Sequence, residues 1–174
     1  MANWKIDPAH SEVKFKVKHL VVSTVTGHFN RFQATIEDGA GGLENAKVSF
    51  EADVDSIDTK NTQRDNHLKS PDFFDAANHQ KLTFSSKSIS KVSESEYTVL
   101  GDLTIRGKAR PVKLSVIHNG VVKGFGGVEV SGFEITGKIN RRDFGLTWNG
   151  LTEAGGVVVS DEVSLEIFAE FTTA

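Results

Sequence analysis

The sequence predicts an all-β chain, an eight-stranded antiparallel up-and-down barrel with a short helical insertion after the third strand. Three observations lead to it. Apolar and polar residues alternate with a period of two through most of the chain, as half-buried strands require. Turn-forming clusters interrupt the alternation at short intervals. The 174 residues suit one domain, residues 1–174, that buries roughly 70% of its unfolded surface without disulfides.

The first strand, about residues 11–19, has Val13, Phe15 and Val17 on one face and Glu12, Lys14, Lys16 and Lys18 on the other. The second spans about 26–37, and the third, about 46–55, repeats the pattern at Val48, Phe50, Ala52 and Val54. Five more follow at about 80–90, 95–105, 110–119, 125–139 and 161–172, with Phe84, Leu103, Val116, Ile135 and Ile167 on their apolar faces. The clusters at 38–42, 93–96, 106–108 and 118–120 are short connections that join antiparallel neighbours. Eight strands of about ten residues, each rising roughly 3.3 Å, suffice to close a barrel wide enough for one small ligand. Closure also removes exposed strand edges.

Residues 58–75 break the rhythm and read as helix, with Asp58 or Thr59 as cap, an end near Lys69, and a break at Pro71. Phe73 and Phe74 then press against the barrel.

Composition narrows the function. Cysteine is absent, which excludes thiolate nucleophiles and sulfur-ligated metals. A formal net charge of -3, with acids and bases interspersed, lacks the basic footprint of a nucleic-acid binder. No run approaches the roughly 18 apolar residues of a membrane-spanning helix. The start of the chain lacks the apolar stretch of a signal peptide, so the expected location is cytoplasmic, or periplasmic or secreted if a signal has been removed.

Phenylalanine occurs 12 times against one tyrosine and two tryptophans, so most aromatic surface carries no polar handle. A solidly packed core is the ordinary outcome for such residues. Gly101, Gly126, Gly127, Gly132 and Gly137, set within strand patterns, mark bends or places where something else approaches the backbone, and weigh toward a cavity. All twelve phenylalanines, Phe125, Phe144, Phe168 and Phe171 included, are read as interior. The expected apolar pocket comprises Phe15, Val17, Phe29, Phe32, Phe50, Phe73, Phe74, Phe84, Leu103, Phe133, Ile135 and Leu146.

The six histidines show none of the close spacings of metal sites, and no metal is expected. His10 reads as a turn hydrogen-bonding residue, and His19, in phase with Val17, as an inward-pointing residue near the rim. Arg64-Asp65 beside His67, and Arg141-Arg142-Asp143, are either surface ion pairs or a head-group site, where an arginine can hold a phosphate in bidentate fashion. The expected head-group set is His19, Arg64, Arg141 and Asp143. No nucleophile motif, phosphate loop or dinucleotide fingerprint is present, so no catalytic residue is assigned.

In their order along the chain, several segments resemble the YceI-like family. They are Trp4-Lys5-Ile6-Asp7-Pro8-Ala9-His10-Ser11, Lys18-His19, Gly27-His28-Phe29, Ser56-Ile57-Asp58-Thr59 and Arg64-Asp65-Asn66-His67-Leu68. Asp72-Phe73-Phe74-Asp75, Gly101-Asp102-Leu103-Thr104-Ile105-Arg106-Gly107 and Asn140-Arg141-Arg142-Asp143-Phe144-Gly145-Leu146 complete the set. The resemblance implies a lipocalin-like barrel that binds a polyisoprenoid or similar long-chain amphiphile, and a possible homodimer. Many family members carry a secretory signal, which this chain does not show.

The expected function is therefore binding, storage or transport of an isoprenoid lipid without a cofactor, stable membrane insertion or catalysis. Two alternatives stand beside it. One is an enzyme acting on an apolar substrate, with His19 or Asp143 as general acid or base. The other is a packed barrel that works through a protein partner.

Overall fold

The computed structural model describes residues 3–39, 42–149 and 158–173. Its strands are β1 (Asn3–Ile6), β2 (Glu12–His19), β3 (Ser23–Phe29), β4 (Phe32–Gly39), β5 (Gly42–Asp53) and β6 (Ile57–Asp58). Helix α1 (Thr62–Lys69) follows, and then β7 (Lys81–Lys91), β8 (Glu96–Ile105), β9 (Lys108–Lys123), β10 (Glu129–Asn140) and β11 (Glu162–Thr173).

All neighbours pair antiparallel. β1 pairs β4 and β2 pairs β3, so β1 with β2 forms one broken stave of the barrel and β3 with β4 the next. β5, β7, β8, β9 and β10 continue the meander to β11. β11 closes the ring by pairing β2 at Leu165↔Phe15 and β1 at Phe171↔Ile6. The result is the expected closed eight-stave up-and-down barrel, with α1 after the third stave.

The differences from the sequence expectation have local causes. The first stave starts at Asn3 instead of residue 11. It bends where Pro8, which has no N–H to give a ladder, enters a single 3-10 turn (Pro8–His10) capped by the Asp7 carboxylate on the Ala9 N–H at 3.0 Å. The second stave begins at Ser23 and breaks at Asn30-Arg31. Residues 118–120 are not a turn, because Gly120 with φ 110° lies in β9 opposite Gly132, beside a register shift at Gly132/Phe133. The hairpin tip falls later, at 124–128, where Gly126 and Gly127 take φ of 70° and 78°. Phe125 therefore leaves the expected strand and is fully exposed. Phe168 also faces outward, under the Lys14 ammonium 4.9 Å from its ring centre. Of the expected turn at 38–42, residues 40 and 41 lie outside the described residues.

Helix α1 is capped by Asn61, whose side chain accepts from Arg64 N–H at 2.9 Å, and not by Asp58 or Thr59. Asp58 instead joins β6, and the Thr59 hydroxyl and N–H donate to Asp65. As expected, the helix ends at Lys69 and Phe73 and Phe74 turn back onto the barrel. Phe74 meets Phe29 edge-on at 6.0 Å, and Phe73 is buried beside Trp148 at 5.3 Å.

Candidate functional site

The inward faces of the strands do not interlock. They surround an apolar cavity of about 400 Å³, within the range of about 300–1,000 Å³ typical of small-molecule sites. Phe15, Phe50, Phe74, Leu114, Ile135 and Ile139 point inward yet remain only partly buried, because they face this space.

Three glycines on the inner wall help to keep it open. Gly27 sits opposite Phe15, and a Cβ there would collide with the Phe15 ring. A Cβ on Gly101 would meet the Phe84 ring and the Ser85 carbonyl, and one on Gly137 the Leu114 side chain. The large side chains thus lie along the wall over a bare backbone, and the space beside them stays empty. Gly101 and Gly137 meet the close approach expected of them, whereas Gly27 was not singled out in the sequence.

Of the expected apolar pocket, Phe15, Val17, Phe29, Phe50, Phe73 and Phe74 line the cavity, as do Phe84, Leu103, Phe133, Ile135 and Leu146. Phe32 does not. It is buried, stacked against Phe50 at 6.4 Å, and belongs to the surrounding core. Residues that the alternation did not mark out also line the space, among them Trp148, Leu68 and Val159. They lie on segments without strand periodicity or isolated from it, so no pattern distinguished them.

Lys18, His19, Thr59, Arg64, His67 and Arg141 line one end of the cavity, while Tyr97 lines it toward the other. A chain of contacts links the first end: His19 bridges Val159, whose carbonyl accepts from Arg141, and Arg141 also donates to Trp148 O at 2.7 Å. Trp148 meets His67 edge-on at 4.7 Å, one turn along α1 from Arg64. The Arg64 Nε donates to Thr59 Oγ1 at 2.8 Å and Nη2 to Thr59 O at 2.6 Å. Nη1 has no hydrogen-bond partner among the described residues, and no described carboxylate lies within ion-pair distance of Arg64.

Arg141 differs from Arg64. It is 4% exposed and donates to the carbonyls of Ser160 (2.9 Å), Leu146 (2.8 Å), Trp148 (2.7 Å) and Val159 (3.3 Å). With its fork directed to these carbonyls, it ties residues 146–148 to residues 159–160 and is a poor candidate for a head group. Asp143 is exposed in the 3-10 turn Arg141–Phe144 and does not line the cavity. His19 and Asp143 are therefore not brought together at the cavity.

Toward the opposite end His118 stacks on Phe133 at 4.7 Å, and Phe171 meets Phe133 edge-on at 5.6 Å. His118 Nε2 hydrogen-bonds with Ser131 Oγ at 2.8 Å, and burial holds its pKa below the usual imidazole value. A depressed histidine contributes stability above its unfolded pKa, near 6.5, and loses it as pH falls through the folded value. The melting temperature is thus expected to drop on acidification below about pH 6.5, and less so in His118→Phe. An equal drop in both proteins would remove His118 as the cause.

Outside the barrel, Asp7, His10 and Glu170 bring ligating atoms within 4.8 Å of one another. His10 has the turn role expected, its Nδ1 lying 2.7 Å from Asp7 Oδ2.

A closed up-and-down barrel around an apolar cavity, with its charged lining at one end, defines a protein of the lipocalin-like barrel class. The particular family follows from comparison with known proteins. The chain belongs to the YceI-like family, whose domain matches residues 4–171. The UPF0312 protein SAS2572 of Staphylococcus aureus (strain MSSA476) is 41% identical over 173 residues, covering 99% of this chain and 98% of that protein. Among solved structures, Burkholderia cenocepacia BcnA superposes with a TM-score of 0.80 at 25% identity, over 95% of this chain and 98% of BcnA. A polyisoprenoid binding domain from Saccharophagus degradans implicated in plant cell wall breakdown shares the fold, with a TM-score of 0.66 at 15% identity and 98% coverage of each chain.

Proposed function

We propose that this protein binds, and stores or carries, a polyisoprenoid or similar long-chain amphiphile, with the tail in the barrel and the head at the Arg64 end. The observation that carries this reading is the empty apolar lumen between strands whose inward side chains fail to fill it. Family membership supports it, and so does the polyisoprenoid binding of the Saccharophagus domain that shares the fold. Affinity comes from the tail. At about 0.8 kcal/mol per buried methylene, a twenty-carbon chain offers on the order of 16 kcal/mol gross, from which the freedom lost on binding subtracts a large part. The head then needs only orientation, which Arg64, with no partner for its Nη1 among the described residues, and His19, which lines the same cavity, supply.

Native mass spectrometry of freshly purified protein, followed by organic extraction, tests this reading. The expected result is a non-covalent adduct that extraction releases as a long-chain lipid. Protein that emerges at its bare mass and takes up no added polyprenyl diphosphate or polyprenol would overturn it.

A further inference from the structure

The β2–β3 hairpin ends in three consecutive apolar residues that nothing packs away: Leu20 is 39%, Val21 73% and Val22 85% exposed. Leu20 and Val21 take φ of 51° and 66°, a left-handed backbone that glycine favours and a β-branched residue rarely adopts. The turn thus keeps two bulky side chains at a place where a glycine would fold more easily.

The tip stands at the charged end of the lumen. His19 and Val159, joined by a bridge, both line the cavity, and Leu20 N–H donates to Val158 O at 2.9 Å, another lining residue. The charge next to the tip is a cation: no aspartate or glutamate occurs between Glu12 and Glu37, and β2 carries Lys14, Lys16 and Lys18, while Arg31 lies past the far end of β3, paired with Asp53. Lys14 and Lys16 are paired with Glu166, whereas the Lys18 ammonium, beside the tip, donates to the Thr24 hydroxyl at 3.0 Å and has no carboxylate partner among the described residues. The nearby acids Asp161 and Glu162 face Arg142 and Lys138. An apolar tip with a lysine beside it suits an anionic bilayer surface, which takes up exposed apolar side chains and attracts the basic residue next to them.

We propose that Leu20, Val21 and Val22 insert into the surface of an anionic lipid bilayer and bring the charged end of the lumen against the membrane from which its lipid is drawn. The inference rests on the lipid-binding reading above and adds the surface where loading occurs. A second apolar tip, Val121, Val122 and Phe125, is also exposed, but it stands at the end where His118, Phe133 and Phe171 pack together, away from the charged lining.

Co-sedimentation of the whole chain with vesicles of phosphatidylcholine, with and without phosphatidylglycerol, tests the proposal. Wild type is expected to bind the mixed vesicles more strongly. Val21→Asp with Val22→Asp should weaken that binding about tenfold or more, and Lys18→Glu should weaken it on the anionic vesicles alone. Val21→Gly with Val22→Ser should also lose binding while its melting temperature holds or rises, which separates docking from folding. Wild-type levels of binding by these tip variants, or binding lost instead by Phe125→Ser, would overturn the proposal. Self-association of the tip in place of vesicle binding would overturn it as well. In parallel, polyprenol added from ethanol should still enter every tip variant. If wild type takes up ethanol-delivered polyprenol but ignores vesicles, docking fails while lipid binding stands; if it takes up neither, lipid binding itself fails.

Discussion

Replacing Arg141 with alanine is expected to destabilise the fold by about 3–5 kcal/mol, the usual cost of breaking a buried charged network. Against a total of about 5–15 kcal/mol for a typical domain, that leaves a marginal protein. The guanidinium is 4% exposed and serves four carbonyls, those of Leu146, Trp148, Val159 and Ser160. Removing it strands acceptors that had been drawn in around a cation, at about 1–3 kcal/mol for each one left unsatisfied. Burial lowers the Arg141 pKa, with Asp161 acting in the opposite sense, but the group stays charged. Lysine keeps the charge and loses the planar fork, so Arg141→Lys should recover only part of the stability. Arg64→Ala should behave differently: its two bonds to Thr59 lie at a half-exposed helix start, so stability changes little and head-group preference shifts. Urea unfolding of the four proteins checks this. A change below about 1 kcal/mol in Arg141→Ala, combined with altered lipid preference, would return Arg141 to the head-group site.

Blocking the lumen is expected to produce the largest effect on binding. Ile135 lies inward in the middle of β10, between Val116 and Ile167, and faces the cavity. Tryptophan at this position projects into empty space and displaces part of the guest. If it excludes about five methylenes, roughly 4 kcal/mol is lost, or about a thousandfold in affinity. The melting temperature should change little, because the added ring fills space instead of opening a hole. Phe84→Asp should abolish tail retention as well, since it puts a carboxylate against the tail, but it also removes packing over Gly101, so the tryptophan variant is the cleaner test. Titration with a fluorescent polyprenyl analogue measures both. Wild-type affinity in a folded Ile135→Trp protein would mean that the guest lies elsewhere.

Much of the barrel was legible because alternation is a local property. Side chains in a strand point to opposite faces in turn, so Phe15, Phe84, Phe133 and Ile135 could be assigned to the lumen without any knowledge of their partners. The same rule misplaced Phe125, because Gly126 and Gly127 turn the chain with positive φ before the strand begins. It placed Phe32 inward correctly but could not show that Phe32 packs into the core against Phe50 without reaching the cavity. The N-terminal stave was shortened in the reading because Pro8 interrupts the pattern, although β1 rejoins the ring through β11, more than 160 residues away.

By itself the sequence determined the succession of strands, their inner faces and the place of the helical insertion, since each depends on residues close together in the chain. Only the tertiary structure decided whether the inner faces would pack solid or leave a lumen, because that depends on Phe15 lying over Gly27 and Phe84 over Gly101 across strand pairs. It likewise separated two similar-looking arginines: Arg141 is satisfied by carbonyls up to 19 residues away, while Arg64, which lines the cavity, has an Nη1 without a partner among the described residues. A hydrogen-bonding group is spent or available according to what surrounds it in space, and no local pattern in the chain records that.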